Sequence, residues 1–346
     1  MNNTEAVITP RTKSVGSFLP GVALVGGIAL LASWAAGLPL AQQSGLSALT
    51  LAILLGILLG NTVFPRLATV CGDGVGFSKS YLLRAGIILY GFRITFQQIA
   101  GVGWAGLLID VTIVTSTFLL AAMLGTRLLK LDRDTSILIG AGSAICGAAA
   151  VIATESVLRS QAHKASIAVA TVVVFGTLGM FIYPALYAPL QLSDNAFGIY
   201  VGSTIHEVAQ VVAVGNAISE EAAATAVITK MLRVMLLAPF LLILGNSLRR
   251  RESQAGRQPI MIPWFAVLFV MVSGIHSAQL LPSALVSDLV RLDGILLAMA
   301  MAALGLNTRV SAIRQAGLRP ILLAGILFVF LMVGGYAINR GFMLLA

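Results

Sequence analysis

The chain has 346 residues, of which 58% are hydrophobic and 10% charged, and its mean hydropathy is +0.97. This composition leaves too little polar surface for a soluble globular protein, so we expect the chain to lie in a lipid bilayer. The formal net charge of +9 comes from basic residues scattered over short loops. Scattered charges of this kind argue against nucleic-acid binding and serve instead as topology signals.

In chain order, nine apolar stretches are long enough to cross about 30 Å of hydrocarbon as helices, which takes roughly 20 residues each. They lie at 17–38, 46–64, 81–98, 103–126, 166–187, 222–247, 262–281, 288–309 and 318–340. We expect residues 1–16 to form a cytoplasmic tail and 17–45 to form an additional first transmembrane helix with its loop. A signal peptide is the alternative for this first apolar run, but a retained helix is favoured in a chain with many spans.

Two further apolar stretches, 136–157 and 197–217, are rich in Gly, Ala and Ser. Within them, GSAICGAAAVIA at 142–153 aligns without a gap with GSTIHEVAQVVA at 202–213, and six of the twelve positions are identical. A fainter match relates 82–103 to 296–317. Internal repeats in a membrane protein are typical of transporters.

The loop charges indicate how these segments lie in the membrane, because Lys and Arg accumulate in cytoplasmic loops. With the N-terminus inside, the loop with Arg159 and Lys164 breaks this rule if 136–157 crosses the membrane. The rule holds if 136–157 enters from the cytoplasm and turns back. If 197–217 likewise enters from outside, the matched segments become antiparallel. We therefore predict two inverted repeats, 46–187 and 188–346, within one membrane domain.

The predicted fold is an all-α polytopic membrane protein with about 10–11 membrane segments and two discontinuous or re-entrant helices meeting at mid-membrane. Non-helical backbone at that depth must be buried in protein or reached by water. The expected breaks are at Gly140, Gly142, Gly147 and Gly202. The alternative is that these glycines let ordinary helices pack closely. The polar stretch 249–257 is expected to be a linker.

The second Gly-rich segment contains His206-Glu207-Val-Ala-Gln210, which begins like a zinc metalloprotease signature. In that signature a second histidine stands where this chain has Gln210, and an amide is a poor zinc ligand. The other two histidines are His163 and His276. A zinc enzyme would therefore need ligands from distant segments.

Ionisable side chains inside spans cost roughly 2.5–3.5 kcal/mol each on insertion scales, so they normally face protein or water. Lys230 and Arg233 are three residues apart and share a helix face, where they could bind an anion. Equally, one of them could neutralise Glu207 in a structural ion pair. The other ionisable residues in spans are Asp110, whose role is ambiguous, and Arg84 and Arg93, which we expect to reach the membrane interface.

Polar side chains at the predicted breaks complete a candidate anion site. Freed backbone amides and half-helix N-termini present positive partial charge to an anion there. The predicted substrate-binding residues are Gly142, Ser143, Cys146, Ser203, Thr204, Gln210, Lys230 and Arg233. His206 and Glu207 are predicted to couple ion movement to substrate, because the charge of a buried carboxyl group depends on nearby cations.

The chain resembles the YeiH-type family of bacterial inner-membrane proteins, which are described as sulfate exporters. The resemblance runs from about residue 17 to the C-terminus and rests on the blocks LSALTLAILLGILLGNTVFP, YLLRAGIILYGFRITF, IGAGSAICGAAAVIAT, IYVGSTIHEVAQVVAVG, ITKMLRVMLLAPFLL and LLAMAMAALGLNTRVSA. That family is grouped with the cation:proton antiporter and anion transporter superfamily. The resemblance implies inverted repeats, discontinuous helices and a multi-pass location in the inner membrane.

Together these features predict a secondary active transporter, not an enzyme, that exports or exchanges a small sulfate-like anion with H⁺ or Na⁺. An anion channel is the first alternative, and an intramembrane metal-dependent hydrolase that uses His206 and Glu207 is the second. The expected partners are the anion and the lipid bilayer, without nucleic acid, and a homodimer is left open. The predicted site requires no cofactor.

Overall fold

The computed structural model of the chain describes residues 15–39, 41, 47–249, 263–308, 311 and 316–345. Its regular structure in these ranges is helical, as predicted. The predicted linker at 249–257 lies outside the described residues except for its first position, and so does most of the predicted tail at 1–16. The helices are α1 Val15–Ala36, α2 Ala48–Thr62, α3 Phe64–Phe77, α4 Leu83–Tyr90, α5 Phe96–Met123, α6 Arg133–Ala144, α7 Ala148–Leu158, α8 Ala162–Leu190, α9 Asp194–Thr204, α10 Val208–Asn216, α11 Glu220–Met235, α12 Leu237–Arg249, α13 Trp264–Ser277, α14 Ser283–Asn307, α15 Leu318–Val329 and α16 Gly335–Leu345.

Six helical stretches of the described chain are long and apolar enough to cross a membrane. They are Phe18–Ala36, Phe96–Leu128, Ala162–Leu190, Glu220–Ser247, Ser283–Asn307 and Leu318–Phe342. The shorter helices α2 and α13 are also apolar, and a π-helical turn at Ser78–Leu82 joins α3 to α4. With the two Gly-rich segments, these elements agree with the predicted ten or eleven membrane segments.

The first Gly-rich segment is a broken helix whose halves, α6 and α7, form a hairpin. Gly142 of α6 lies against Val151 of α7 across the turn. Lys164, at the start of α8, pairs with Asp132 at 2.7 Å and with Asp134 at 3.2 Å, and both carboxylates lie at the start of α6. The two ends of the segment therefore lie on one side of the molecule, which we call face A.

The second Gly-rich segment, formed by α9 and α10, is also a hairpin. Its second residue, Asn195, donates to the Thr225 hydroxyl of α11 at 3.3 Å, and Gly215 near its end lies against Ala223 of α11. Tyr187, near the end of α8, donates to Asp194 at the start of α9. Helix α8 has 29 residues, or about 43 Å at about 1.5 Å per residue. The second hairpin therefore enters from the opposite side, which we call face B.

The wider division into repeats 46–187 and 188–346 stays a prediction. The two internal matches are separated by different distances along the chain, 202 − 142 = 60 residues and 296 − 82 = 214 residues. One collinear duplication would have a single separation. A single collinear duplication therefore does not account for both matches.

The helices fall into two groups by their contacts. Helices α1–α4, α13 and α14 pack on one another and form the support group. The two hairpins and the helices around them, α5, α8, α11, α12, α15 and α16, form the hairpin group. Within the support group, a Cβ atom on Gly56 of α2 would lie 2.9 Å or less from the backbone of Gly305 and Ala302 in α14. The absence of side chains at Gly56 and Gly305 lets α2 and α14 approach closely, as the sequence suggested for Gly56.

Candidate functional site

The first hairpin turns at Ile145-Cys146-Gly147, between the end of α6 and the start of α7. Gly147 has a φ of +68°, which an L side chain rarely adopts. A Cβ atom at this position would also collide with the side chain of Glu207. A glycine is therefore required here for two independent reasons, the backbone conformation and the approach of the second hairpin.

The second hairpin turns at Ile205-His206-Glu207, between the end of α9 and the start of α10. Ile205 and Glu207 have extended backbone conformations, with ψ of 148° and 150°. Both turns are buried, and both leave the last carbonyl groups of the preceding half-helix without helical partners. Each such group would cost several kcal/mol if it stayed unsatisfied in a membrane interior.

Lys230 and Arg233 of α11 satisfy these carbonyl groups and tie the two turns together. The Lys230 Nζ donates to Ile145 O at 2.8 Å and to Ile205 O at 2.6 Å. Arg233 donates to carbonyls of both hairpins, namely Ala144 O at 2.6 Å, Ser143 O at 2.8 Å, Ser203 O at 2.6 Å and Ile205 O at 3.4 Å. Both side chains are 0% exposed. Cations are favourable at helix C-termini, where the partial charge is negative.

This arrangement corrects one alternative from the sequence. The salt bridges among the described residues do not join Lys230 or Arg233 to Glu207, so neither cation holds Glu207 in a structural ion pair. Their hydrogen bonds go to carbonyl oxygens instead, because two broken helices end directly beside them. Their predicted role in binding an anion stays a prediction.

Glu207 is the acidic residue at the hairpin turns, and its side chain contacts backbone amides. Its Oε1 accepts a hydrogen bond of 3.2 Å from the amide of Ala148, the first residue of α7. Glu207 is also the N-cap residue of α10, and its own amide donates to Gln210 Oε1 at 3.1 Å. Its carboxylate thus lies at the positive ends of two half-helices, a position that favours negative charge.

The predicted polar residues do not all lie at such positive ends. Ser143, Ser203 and Thr204 close α6 and α9 at their C-terminal ends, so they are next to the carbonyls that bind the cations. The sequence placed these hydroxyl groups beside half-helix N-termini because it could not tell which half of each broken helix they would join. Ser203 donates to Tyr200 O at 3.1 Å and accepts from Asn339 Nδ2 at 3.1 Å.

Several buried polar atoms of the site find no hydrogen-bond partner among the described residues. They are the Ser143 hydroxyl, both ring nitrogens of His206 and the Gln210 Nε2. The His206 ring lies 6.3 Å from the Phe328 ring, between centroids. Cys146 lies in the first turn and is 6% exposed. Of the predicted break positions, Gly147 lies at a break, but the prediction was wrong for Gly140, Gly142 and Gly202, which lie inside α6 and α9.

A cavity of about 270 Å³ leads away from the hairpin turns between the two helix groups. Cys146, Ala148 and Glu207 line its inner end, and Lys79 and Arg84 of the support group line its wall. A neighbouring cavity of about 420 Å³ shares Lys79 and extends to Ala162 at the start of α8, on face A. Arg84, which was expected to reach the membrane interface, is exposed and contributes to this basic wall.

On the side of face B, aromatic residues cover the turns. Tyr183 and Tyr200 are stacked with ring centroids 5.0 Å apart, and Phe197 packs edge-on against Tyr200. All three are buried, and the Tyr200 hydroxyl donates to Met332 O at 2.8 Å. The turns are therefore reached from face A and covered toward face B.

Two acidic residues with buried side chains were not identified from the sequence as parts of a pair or site. Asp293 of α14 accepts a hydrogen bond from Arg93 at 2.8 Å, and Arg93 also donates to Val290 O at 3.1 Å. Arg93 was expected to reach the membrane interface, but its guanidinium group forms a salt bridge with this buried carboxylate. Asp110 of α5 is fully buried, and both of its carboxylate oxygens lack a partner in the described chain.

Comparison with known proteins places the chain in a family. The family model described as Conserved hypothetical protein 698 matches residues 20–324. The chain belongs to this family. The UPF0324 inner membrane protein YeiH of Escherichia coli K12 is 54% identical over 340 residues, which cover 97% of each chain. A UPF0324 membrane protein of Photorhabdus laumondii is 55% identical over 342 residues, covering 94% of this chain and 95% of its relative.

The resemblance to the YeiH-type family is thus confirmed, and with it a multi-pass location in the bacterial inner membrane. Among solved structures, the sodium proton antiporter MjNhaP1 of Methanocaldococcus jannaschii matches 91% of this YeiH-type chain and 99% of its own. The identity is 15% and the TM-score 0.31. A likeness this weak carries no argument about fold or activity.

Proposed function

We propose that the chain is a secondary active transporter that moves a small anion across the inner membrane by alternating access. The observation that carries this proposal is the cavity between the helix groups, which ends at the hairpin turns and is covered on the side of face B. A transporter needs a site that is open to one side at a time. Broken helices that meet at mid-membrane are the usual place for such a site.

The anion is expected at the N-termini of α7 and α10, where the Glu207 carboxylate now lies. Amides at both half-helix ends favour negative charge, and Cys146 stands beside them at the inner end of the cavity. Lys230 and Arg233 add positive charge from the other side of the turns. Lys79 and Arg84 in the cavity wall would attract anions from face A.

Glu207 gives this site a means of coupling. An incoming anion and the Glu207 carboxylate compete for the same amides. Binding of the anion therefore either displaces the Glu207 carboxylate from these amides or requires Glu207 to be protonated. His206 is the adjacent residue and stays the second predicted coupling group. The predicted hydroxyl and amide groups, Ser143, Ser203, Thr204 and Gln210, would hold the turns in position around the anion.

The alternatives make different demands on the structure. A channel needs a continuous path, which the aromatic residues between the turns and face B oppose in this conformation. A metal-dependent hydrolase needs a metal site, and the described residues include no group of three or more His, Cys, Asp or Glu side chains that could hold an ion. The transporter is therefore the function that the geometry supports best.

Transport in proteoliposomes tests the proposal. Vesicles loaded with unlabelled sulfate, sulfite, bicarbonate or a small sulfonate are expected to take up the matching labelled anion by counterflow, and a pH or sodium gradient is expected to drive accumulation. A channel would only equilibrate the anion. Equilibration without accumulation under every gradient, or no flux of any of these anions, would contradict the proposal.

Thiol labelling provides a second test at the site itself. In a Cys71→Ser background, Cys146 is the only thiol and lines the cavity. A small thiol reagent should modify Cys146, and a transported anion should slow the reaction by at least several-fold. An anion that is transported but gives no protection would place the binding position elsewhere.

A further inference from the structure

Asp110 is a buried carboxyl group that the proposed anion site does not use. It lies on α5 with 0% exposure, and neither carboxylate oxygen has a hydrogen-bond partner in the described part of the chain. One turn away on either side, Gly106 lies next to Leu232 of α11 and Ile113 lies next to Gly335 of α16. Asp110 is therefore enclosed by packed helices at the level of the cations on α11.

The charges around Asp110 come from one helix. Among the described residues, the charged groups that act on it electrostatically are Arg233 and Lys230. Other helices packed against α5, including α6, α9 and α16, contribute none. The described salt bridges do not join either cation to Asp110, because their hydrogen bonds go to the hairpin carbonyls.

Glu207 and Asp110 are thus in opposite situations. The Glu207 carboxylate accepts a hydrogen bond from a backbone amide and lies at the N-termini of two helices. An ionised Asp110 would have no hydrogen-bond donor among the described residues. In a site of low dielectric constant, a carboxylate without hydrogen bonds is strongly unfavourable relative to the neutral acid. In the observed arrangement, Asp110 is the carboxyl group better suited to hold a proton.

We infer that Asp110 is the proton-carrying group of the proposed transporter. In the conformation open to face A, a proton on one carboxylate oxygen makes Asp110 a neutral acid. Helix α11 carries the cations that hold both turns, so a movement of the turns changes the distance from these cations to Asp110. When the cations approach, the ionised form becomes favourable and the proton leaves to water on the other side. This inference rests on the proposed function and adds the coupling ion and its site.

The test compares Asp110→Asn with the wild-type chain in proteoliposomes. The Asn variant mimics the neutral acid, so it should retain anion-for-anion counterflow within about two-fold while losing accumulation driven by a pH gradient. Proton flux, followed with a pH-sensitive dye inside the vesicles, should be lost together with accumulation. Infrared difference spectra should lose the C=O band of a protonated carboxylic acid. Asp288→Asn, at an exposed position of α14, is the matched control and should change none of these.

Accumulation and proton flux at the wild-type level in Asp110→Asn would overturn the inference. If this variant does not fold, Asp110→Glu keeps a titratable group at the site and should retain pH-driven accumulation with an altered pH profile, and an unaltered profile would count against the inference. If the wild-type chain transports no anion, the proposed function fails, and the infrared band still decides whether Asp110 is protonated. A sodium-driven wild type with no response to pH would also exclude Asp110 as the proton carrier.

Discussion

Replacement of Glu207 by Gln tests whether this side chain occupies the anion position. The carboxylate accepts a hydrogen bond of 3.2 Å from the Ala148 amide, and Glu207 is the N-cap residue of α10, so the carboxylate interacts with two half-helix N-termini. An amide of nearly the same shape keeps a hydrogen-bond acceptor but removes the charge. The backbone amides then favour an external anion without competition from an internal one.

The expected gain in anion affinity follows from these two contacts. A negative charge at one helix N-terminus is stabilised by about 0.3–1 kcal/mol, and by up to about 2 kcal/mol in partly buried sites. Two N-termini together give about 1–2 kcal/mol, which corresponds to a dissociation constant lower by roughly 5–30-fold. Glu207 is 7% exposed, so screening by solvent should reduce this value little.

Isothermal titration of the purified protein with a transported anion measures this change, and the rise of the melting temperature with anion concentration checks it. Glu221→Gln, which removes a carboxylate at an exposed position, is the control. An unchanged dissociation constant would show that Glu207 and the anion occupy different positions. Weaker binding would show that Glu207 assists the anion, and in both cases the competition between them would be refuted.

Three other perturbations address the architecture around the site. Arg233→Lys should lower the free energy of unfolding by about 1.5–3 kcal/mol for each carbonyl bond that the shorter cation loses, measured by thermal melting with the exposed Arg319→Lys as control; an unchanged melting temperature would contradict the structural role of Arg233. Single cysteines at positions 164 and 195 should react with an impermeant maleimide from opposite sides of the membrane, position 195 from the periplasm, since Lys164 and Asn195 lie on faces A and B; labelling of both from one side would exclude the opposed hairpins. Partial desolvation raises the pKa of Asp132, but hydrogen bonds from Lys164 and Thr135 outweigh it and leave the pKa below its ordinary value, so Asp132 stabilises the fold above about pH 3.9 and loses this contribution as the pH falls further. Asp132→Asn should flatten the acid side of the melting-temperature profile, and a profile parallel to wild type would show that the Lys164 pair does not stabilise the hairpin.

Much of the architecture could be predicted from the amino-acid sequence alone. Hydropathy and segment length place the chain in the membrane, because each span must satisfy its backbone internally over a fixed thickness. The basic residue Lys164 indicated that 136–157 turns back, because the side of the membrane on which a loop lies depends on charge close to the span. The ion pairs of Lys164 at the entrance of α6 agree with that prediction.

The partners of the charged residues were decided only by the tertiary structure. Lys230 reaches Ile145, 85 residues away, and Arg93 reaches Asp293, 200 residues away. A sequence shows that a buried cation needs a partner, but carboxylates, carbonyls and anions all meet that need. The breaks after α6 and α9 determine the outcome, since the carbonyls that Arg233 and Lys230 bind are free only because the two helices stop there.

The same reason separates Glu207 from Asp110. Both are single acidic residues in apolar surroundings, and the local sequence does not show which one will meet a hydrogen-bond donor. The approach of the two turns brings Glu207 to the amide of Ala148, whereas the helices around Asp110 leave its oxygens without a partner in the described chain. Composition and charge thus indicate that the chain spans the membrane and folds back, and helix packing decides which carboxyl group meets a backbone amide and which one is left without a hydrogen-bond donor among the described residues.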